Sequence, residues 1–397
     1  MKPLEPNKRE IAFRVLDNFR IEIPSWGFAN TGTRFGKFVQ AAAASTLEEK
    51  FADAAEVNLL TGATPTVALH VLWDLPNGLK DVPEVKQLEK RFGIRSGSIN
   101  PNLFQDQEYK FGSLCNPSAA IRERALGHLL GSIEIAKGLD SRDISLWMAD
   151  GSNYPGTQSM RKRLGWLEEA LRIAHSHLAP RQRLLVEYKP FEPAFYHTDI
   201  ADWGMASHLA GQAGPQARVL VDTGHHYNAQ NIEQIVAWLL HTGMLGGFHF
   251  NDRRYADDDL TLGSIDPYQI FRIFHEIHAA ADDGLMFDIA YMIDQSHNLK
   301  GKIEATVQSV VTAQELYLKA ALVDRVKLAE LQQGCDLVAA EELYRGAFWN
   351  DVRPLTRAWR EARDLPADPL EALRSSGYVE RVARVRACRS SAVGSYA

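Results

Sequence analysis

Short β-prone runs recur eight times along the chain, most of them followed by a longer segment in which apolar residues return every three or four positions. The runs are FRIEIPSW (19–26), TVALHVLW (66–73), GIRSGSIN (93–100), DISLWMAD (143–150), RLLVEYKP (183–190), ARVLVDTG (217–224), GGFHFND (246–252) and LMFDIAYMID (285–294). Among the intervening segments, NPSAAIRERALGHLLGSIEIAKGL and SMRKRLGWLEEALRIAHSHL carry one apolar stripe and one charged face, as amphipathic helices do. Strand and helix alternating through eight repeats predicts an α/β fold, a closed (β/α)8 TIM barrel rather than an open sheet. After about residue 322 the strands stop and helical patterning continues through ALVDRVKLAELQQGCDLVAAEELYRGAFWNDVRPLTRAWREARD to a basic end. The expected organisation is a barrel over 1–322 with a short N-terminal helical lead-in. A C-terminal helical extension over 323–397 would then pack on the barrel or on a neighbouring subunit.

Charge and composition narrow the partners. The formal net charge is −6 over 397 residues, which opposes nonspecific attraction to nucleic acid or an acidic membrane surface. The start MKPLEPNKRE is polar and charged, and nowhere do 18 apolar residues run together, so a cytoplasmic protein without a membrane partner is expected. Cys115, Cys335 and Cys388 are odd in number and far apart, which supports neither a disulfide framework nor a cysteine-based zinc site.

In barrels of this kind the chemistry gathers at the carboxyl ends of the strands, so polar residues closing apolar runs carry the functional information. LLVEYKP offers Glu187 and Lys189, two apart and on one face of a strand. LVDTGHH offers Asp222 and His225, FHFND offers His249, and the loop NDRRYADDDL carries Asp257 and Asp259. In the last run Asp294 sits at the carboxyl end, whereas Asp288 lies toward the opposite rim. Taken singly each has a structural explanation: a frayed ion pair, a satisfied core histidine, a solvated acidic loop. Together they place Glu187, Asp222, Asp257, Asp259 and Asp294 with two imidazoles on one rim, where the carboxylates would repel one another without cations. Carboxylates mixed with imidazoles suit Mn²⁺, Mg²⁺, Co²⁺ or Zn²⁺. Seven ligands exceed the need of one ion, so two divalent ions sharing a carboxylate are expected.

The stretches SWGFANTGTRFG, SGSINPN, LWMADGSNYPGTQ, VEYKPFEP, VDTGHH, HFNDRRYADDDL and MIDQSHN carry a resemblance. From about Phe19 to Lys319 the chain resembles the bacterial L-rhamnose isomerases of broad specificity, within the xylose-isomerase-like barrel superfamily. The resemblance implies a structural metal held by Glu187, Asp222, His249 and Asp294. It implies a catalytic metal held by Glu187, His225, Asp257 and Asp259, with Mn²⁺ the expected ion at both sites. It implies catalytic roles for Lys189, His225, Asp257, Asp259 and Asp294, and substrate contacts from Trp26, Phe35, His70, Trp147, Lys189 and Ser296. The implied reaction interconverts L-rhamnose and L-rhamnulose, extending to L-mannose, L-lyxose or D-allose, by hydrogen transfer between C1 and C2, the hydride route being favoured. A homotetramer is also implied, with Phe104 and Phe111 of the loop SINPNLFQDQEYKFGSL reaching toward a neighbour's site. The rival readings are a metal-dependent sugar 3-epimerase, a phosphodiester-cleaving endonuclease disfavoured by the negative charge, and a non-catalytic sugar-binding barrel.

Overall fold

A computed structural model describes residues 6–30, 38–192, 195–255, 258–285, 288–296 and 299–390. Each of the eight β-prone runs contributes a strand to one sheet: β1 Ile23–Pro24, β2 Thr66–His70, β3 Arg95–Asn100, β4 Asp143–Leu146, β6 Arg183–Glu187, β8 Ala217–Asp222, β9 Leu245–Phe250 and β10 Ala290–Ile293. Two further short strands, β5 Gly151–Ser152 and β7 His197–Thr198, pair antiparallel with each other. The barrel strands are hydrogen-bonded in the order β1-β2-β3-β4-β6-β8-β9-β10, each neighbour parallel. Glu22 closes the circle: its N–H donates to the Tyr291 carbonyl and its carbonyl accepts from Ile293 N–H, each at 2.8 Å. The (β/α)8 TIM barrel read from the alternation is therefore the observed fold.

Parallel strands covered on both faces read as near-continuous apolar runs, and ARVLVD and LGGFHF are buried almost throughout. Alternation of side chains across each strand divides them between two cores. Leu185, Leu220, Ala290 and Met292 face inward and form one cluster inside the barrel. Val219, Val221, Phe248 and Phe250 face outward into the large core shared with the helices. The two amphipathic segments form the helices Ala119–Gly138 and Met160–Ser176, the latter started by the Ser159 hydroxyl accepting from Lys162 N–H.

Several runs are shorter as strands than as patterns. FRIEIPSW yields a two-residue strand because Ser25–Phe28 wind into a 3-10 turn, and TVALHVLW ends as a strand at His70 because Val71–Asp74 form one helical turn. Both turns sit on the carboxyl rim and carry aromatic side chains to it.

Beyond the helix Lys302–Ala321 come the helices Arg325–Gln333, Leu337–Trp349, Arg353–Glu361, Pro369–Ser376 and Tyr378–Ser390. Trp359 is buried with Leu318, Val352, Leu355 and the N-terminal helix residues Ala12 and Leu16, and its indole donates to Asp17 at 3.0 Å. Among the described residues no helix is long and apolar enough to cross a membrane.

The helix Pro267–Asp282 packs beneath this extension and carries His275 and His278, whose rings lie 4.8 Å from Tyr344 and 4.4 Å from Tyr317. Burial, helped by the Arg325 charge, pulls both imidazoles down to about 4 from 6.5. A histidine with a depressed folded value contributes stability that is fully present above 6.5 and lost as pH falls toward 4. The midpoint of thermal unfolding should therefore fall between pH 7 and pH 5, and the double substitution His275→Gln, His278→Gln should flatten that dependence. Parallel pH profiles for the two proteins would contradict this account.

Candidate metal centre

The inward positions of β6, β8 and β10 lead from the interior cluster to the rim. Leu185 is followed two residues on by Glu187, Leu220 by Asp222, and Met292 by Asp294, which lies just past the end of β10. On β9 the corresponding position is His249, in register with Asp222 on one side and Met292 on the other. His249 Nδ1 faces three carboxylates: Glu187 Oε2 at 3.3 Å, Asp294 Oδ2 at 3.6 Å and Asp222 Oδ2 at 3.9 Å. His225 arrives from the turn after β8, with Nδ1 3.3 Å from Glu187 Oε1 and Nε2 3.9 Å from Asp222 Oδ2. Its Nδ1 also lies 3.1 Å from the Tyr188 carbonyl, which can only accept. In the neutral ring this fixes the proton on Nδ1.

The supporting contacts hold the acids in place. Asp222 accepts from Gly224 N–H at 2.6 Å and from the Asn251 amide at 3.1 Å. A Cβ at position 224 would stand 2.5 Å from Asn251 Oδ1, so this approach needs glycine. Asp294 accepts from the Trp26 indole N–H at 2.8 Å. The neighbouring imidazole of His226 turns away to the Tyr188 hydroxyl, 2.7 Å from Nε2, and burial with the nearby Arg253 charge pulls it down to about 3.

Two groups of potential ligands lie within 4.8 Å of one another, Glu187 with Asp222 and His225, and Asp222 with His249 and Asp294. Their charges are strongly interdependent. Burial raises Asp222 to about 7, the pull of His225 being opposed by repulsion from Glu187 and Asp294. Burial likewise raises Asp294. Burial also works on Glu187, but His249, His225 and Lys189 outweigh it and hold that carboxyl below its ordinary value. Burial would lower His249, yet Glu187, Asp294 and Asp222 drive it up to about 10. Glu187 Oε2 and His249 Nδ1 face each other off the hydrogen-bond line, each without a hydrogen-bond partner among the described residues. Buried oxygen and nitrogen atoms so close together without a hydrogen bond between them fit a hard or borderline divalent cation.

A third group, Cys115 with Asp150 and Asp199, is of another kind. The Arg163 guanidinium occupies it, bonding Asp199 at 2.6 and 2.8 Å and the Cys115 carbonyl at 3.2 Å, while burial pushes the Cys115 thiol well up. This is a buried ion-pair network with its own cation.

Beside the acids stands an aromatic wall. The His70 ring stacks on Trp73 at 3.7 Å, Trp26 lies edge-on to both at 6.4 and 6.3 Å, and Phe104 packs edge-to-face on Trp147 at 4.7 Å. Lys189 Nζ lies 5.2 Å over the Trp147 ring and 2.5 Å from Glu192. Burial, with the charge of Lys50, pulls His70 down to about 3, so its imidazole is neutral. Both His70 nitrogens and Trp147 Nε1 are buried without hydrogen-bond partners among the described residues. Donors and acceptors left open beside apolar ring faces match a polyhydroxylated ligand.

Of the residues singled out from sequence, the structure brings together Glu187, Asp222, His225, His249, Asp294, Trp26, His70, Trp147 and Lys189. Ser296 is half-buried just beyond Asp294. Asp259 is half-buried in the loop after β9, in a left-handed conformation with φ 49°, and belongs to neither ligand group. Phe35 and Asp257 lie outside the described residues. Asp288 is at the far rim, paired with Arg142. Phe104 packs against His70 and Trp147 of its own chain, where the loop after β3 folds back over the barrel mouth. Asn251 and Trp73 were not anticipated. Asn251 follows His249 by two in FHFND, and Trp73 follows His70 by three, a spacing that a helical turn brings to one side.

Comparison with known proteins agrees with this architecture. Residues 59–299 match the profile of the family described as the xylose isomerase-like TIM barrel. A "probable sugar isomerase" of Mesorhizobium japonicum is 40% identical over 377 residues, covering 94% of this chain and 87% of that protein. A second from Rhizobium meliloti is 39% identical, covering 93% and 86%. Among solved structures, a 3-keto-D-glucoside 4-epimerase from E. coli superposes with a TM-score of 0.55 at 13% identity, covering 74% of this chain and 99% of that one. At that identity the likeness shows the fold alone.

The geometry ranks the contributions of individual groups. Glu187→Gln should weaken Mn²⁺ binding by roughly 100-fold, because Glu187 lies nearest to both imidazoles, 3.3 Å from each, and Trp26→Phe by roughly 10-fold through loss of the bond to Asp294. Titration calorimetry measures both, and undiminished Mn²⁺ affinity in Glu187→Gln would remove Glu187 from the ligand set.

Proposed function

The chain belongs to the xylose isomerase-like TIM barrel family, and from that premise we propose that it is a metal-dependent aldose–ketose isomerase. The proposed substrates are L-rhamnose and L-rhamnulose, with L-mannose, L-lyxose or D-allose as further aldoses. The observation that carries this reading is the convergence of Glu187, Asp222, His225, His249 and Asp294 on one rim, next to an aromatic wall with open polar atoms. Two of the matched relatives are each described as a "probable sugar isomerase", which supports the same class.

The proposed ligands are Glu187, Asp222, His249 and Asp294 for one ion, and Glu187, His225, Asp257 and Asp259 for a second, with Mn²⁺ the expected metal. Divalent ions held there supply Lewis-acid polarisation of carbonyl and hydroxyl oxygens. The remaining work belongs to side chains. Lys189, fixed over Trp147 and against Glu192, is placed to donate to a sugar oxygen at the mouth of the site. Neutral His70 offers one donor and one acceptor to hydroxyls or a ring oxygen. Trp26, Trp73, Phe104 and Trp147 present ring faces and edges to the C–H surfaces of the sugar and to a C6 methyl, and keep water from the reacting carbons. Phe35 and Ser296 complete the proposed contacts. A homotetramer is the proposed assembly.

A sugar 3-epimerase is the second reading, since the same barrel fold serves a D-allulose 3-epimerase from Methylomonas sp., which superposes with a TM-score of 0.53 at 13% identity and shares the fold alone. Epimerases of the superfamily use paired glutamates as acid and base, whereas Glu187 is the one glutamate in the two ligand groups. Incubation of the purified protein with Mn²⁺ and L-rhamnose should yield L-rhamnulose, and chelation should abolish turnover with recovery on re-addition of metal. Metal-bound protein that epimerises a ketose at C3 and forms no ketose from aldoses would establish the second reading instead.

A further inference from the structure

Three donors converge on the buried carboxylate of Asp74. The Ser25 hydroxyl bonds Oδ2 at 2.5 Å, Lys50 Nζ bonds Oδ1 at 2.6 Å, and the His70 N–H bonds Oδ2 at 2.8 Å. Ser25 directly follows β1 and precedes Trp26, whose indole holds Asp294; His70 ends β2. One carboxylate therefore fixes both strand ends that carry the aromatic wall. Its counter-ion, Lys50, stands in the first turn of the helix Leu47–Thr61, and both side chains are buried.

One turn further along that helix is Asp53, also fully buried. It accepts a two-pronged bond from Arg386 of the last helix, at 2.8 and 2.9 Å, and a bond from the Tyr378 hydroxyl at 2.9 Å. Arg386, 5% exposed, also bonds the Ala42 carbonyl at 2.6 Å. Two buried ion pairs, three residues apart on one helix, thus join the end of the chain to the site. Buried ion pairs add little net stability compared with apolar packing, because desolvation offsets the attraction. What they supply is fixed geometry, and here the fixed elements are the walls of a ligand site. The matched family profile spans 59–299, so Lys50, Asp53, Tyr378 and Arg386 all lie outside the part it covers.

We propose that the C-terminal helix Tyr378–Ser390 is a brace of the site, with Arg386 and Lys50 as positioning residues that act through the helix Leu47–Thr61 on Asp74, and so on His70 and Trp26. The sugar part of this claim rests on the isomerase reading; the metal part does not. The brace acts at a distance, so its signature is coupling between two positions that do not touch.

The test compares Arg386→Met, Lys50→Met, the double variant and Arg386→Lys in the full-length protein. Arg374→Ala serves as a control, since it breaks an exposed tail-to-barrel pair with Glu304. Each protein is assayed for Mn²⁺ affinity by calorimetry and for KM and kcat with L-rhamnose, well below its unfolding midpoint. Each single methionine variant should weaken Mn²⁺ binding and raise KM by about 10-fold, the lower end of the range for residues that support metal ligands. The double variant should be no worse than the poorer single, Arg386→Lys should recover part of the loss, and Arg374→Ala should match wild type. Mn²⁺ affinity and KM within twofold of wild type in Arg386→Met, or losses that multiply in the double variant, would overturn the brace. If Arg386→Met does not fold, Lys50→Met and Arg386→Lys decide by the same two measurements. A wild-type protein that binds Mn²⁺ but converts no aldose would end the isomerase reading, and calorimetry alone would then decide the brace.

Discussion

Crowding Glu187, Asp222 and Asp294 at the carboxyl rim of a barrel is unfavourable by itself, since desolvation and mutual repulsion act in the same direction. The rim answers with imidazoles. His249 points one nitrogen at all three carboxylates, and His225 bridges two of them from the next loop. Everything nearby works to preserve that arrangement: Asn251 and Gly224 N–H hold Asp222, the Trp26 indole holds Asp294, and the Tyr188 carbonyl sets the orientation of His225. Such supporting contacts decide how tightly a cation is held once the ligands themselves are chosen.

The barrel makes this precision possible without long-range coordination between loops. Leu185, Leu220, Ala290 and Met292 fill the layer beneath the acids, and the strand period of two carries each inward line up to a rim acid. Strands and their ends fix the acids more firmly than long loops would, and His70 at the end of β2 joins the turns and loops beyond the strands in supplying the aromatic wall.

The legible parts of the molecule are those governed by short-range periodicity. Glu187, Asp222, His249 and Asp294 stood out because each closes an apolar run, and alternation alone assigns them to one face. Strand ends were less legible: a 3-10 turn at Ser25–Phe28 and a helical turn at Val71–Asp74 interrupt runs that look continuous in sequence. The direction of Phe104 depends on how the loop after β3 folds, which no local pattern encodes. Least legible were Lys50, Asp53, Asp74 and Arg386. Their pairings span 24 residues in one case and 333 in the other, and a charged residue on a helix reads as solvent-facing unless its distant partner is known.

The short ladder of β5 and β7 joins the loop that leaves Trp147 to the loop that leaves Lys189. A Cβ at Gly151 would come within 2.4 Å of the His197 carbonyl, so the two loops are stitched at a point with no slack. Neither can change length or sequence there alone. The indole and the ammonium facing it thus stand on two loops tied at one point, and a displacement of either loop there is passed on to the other.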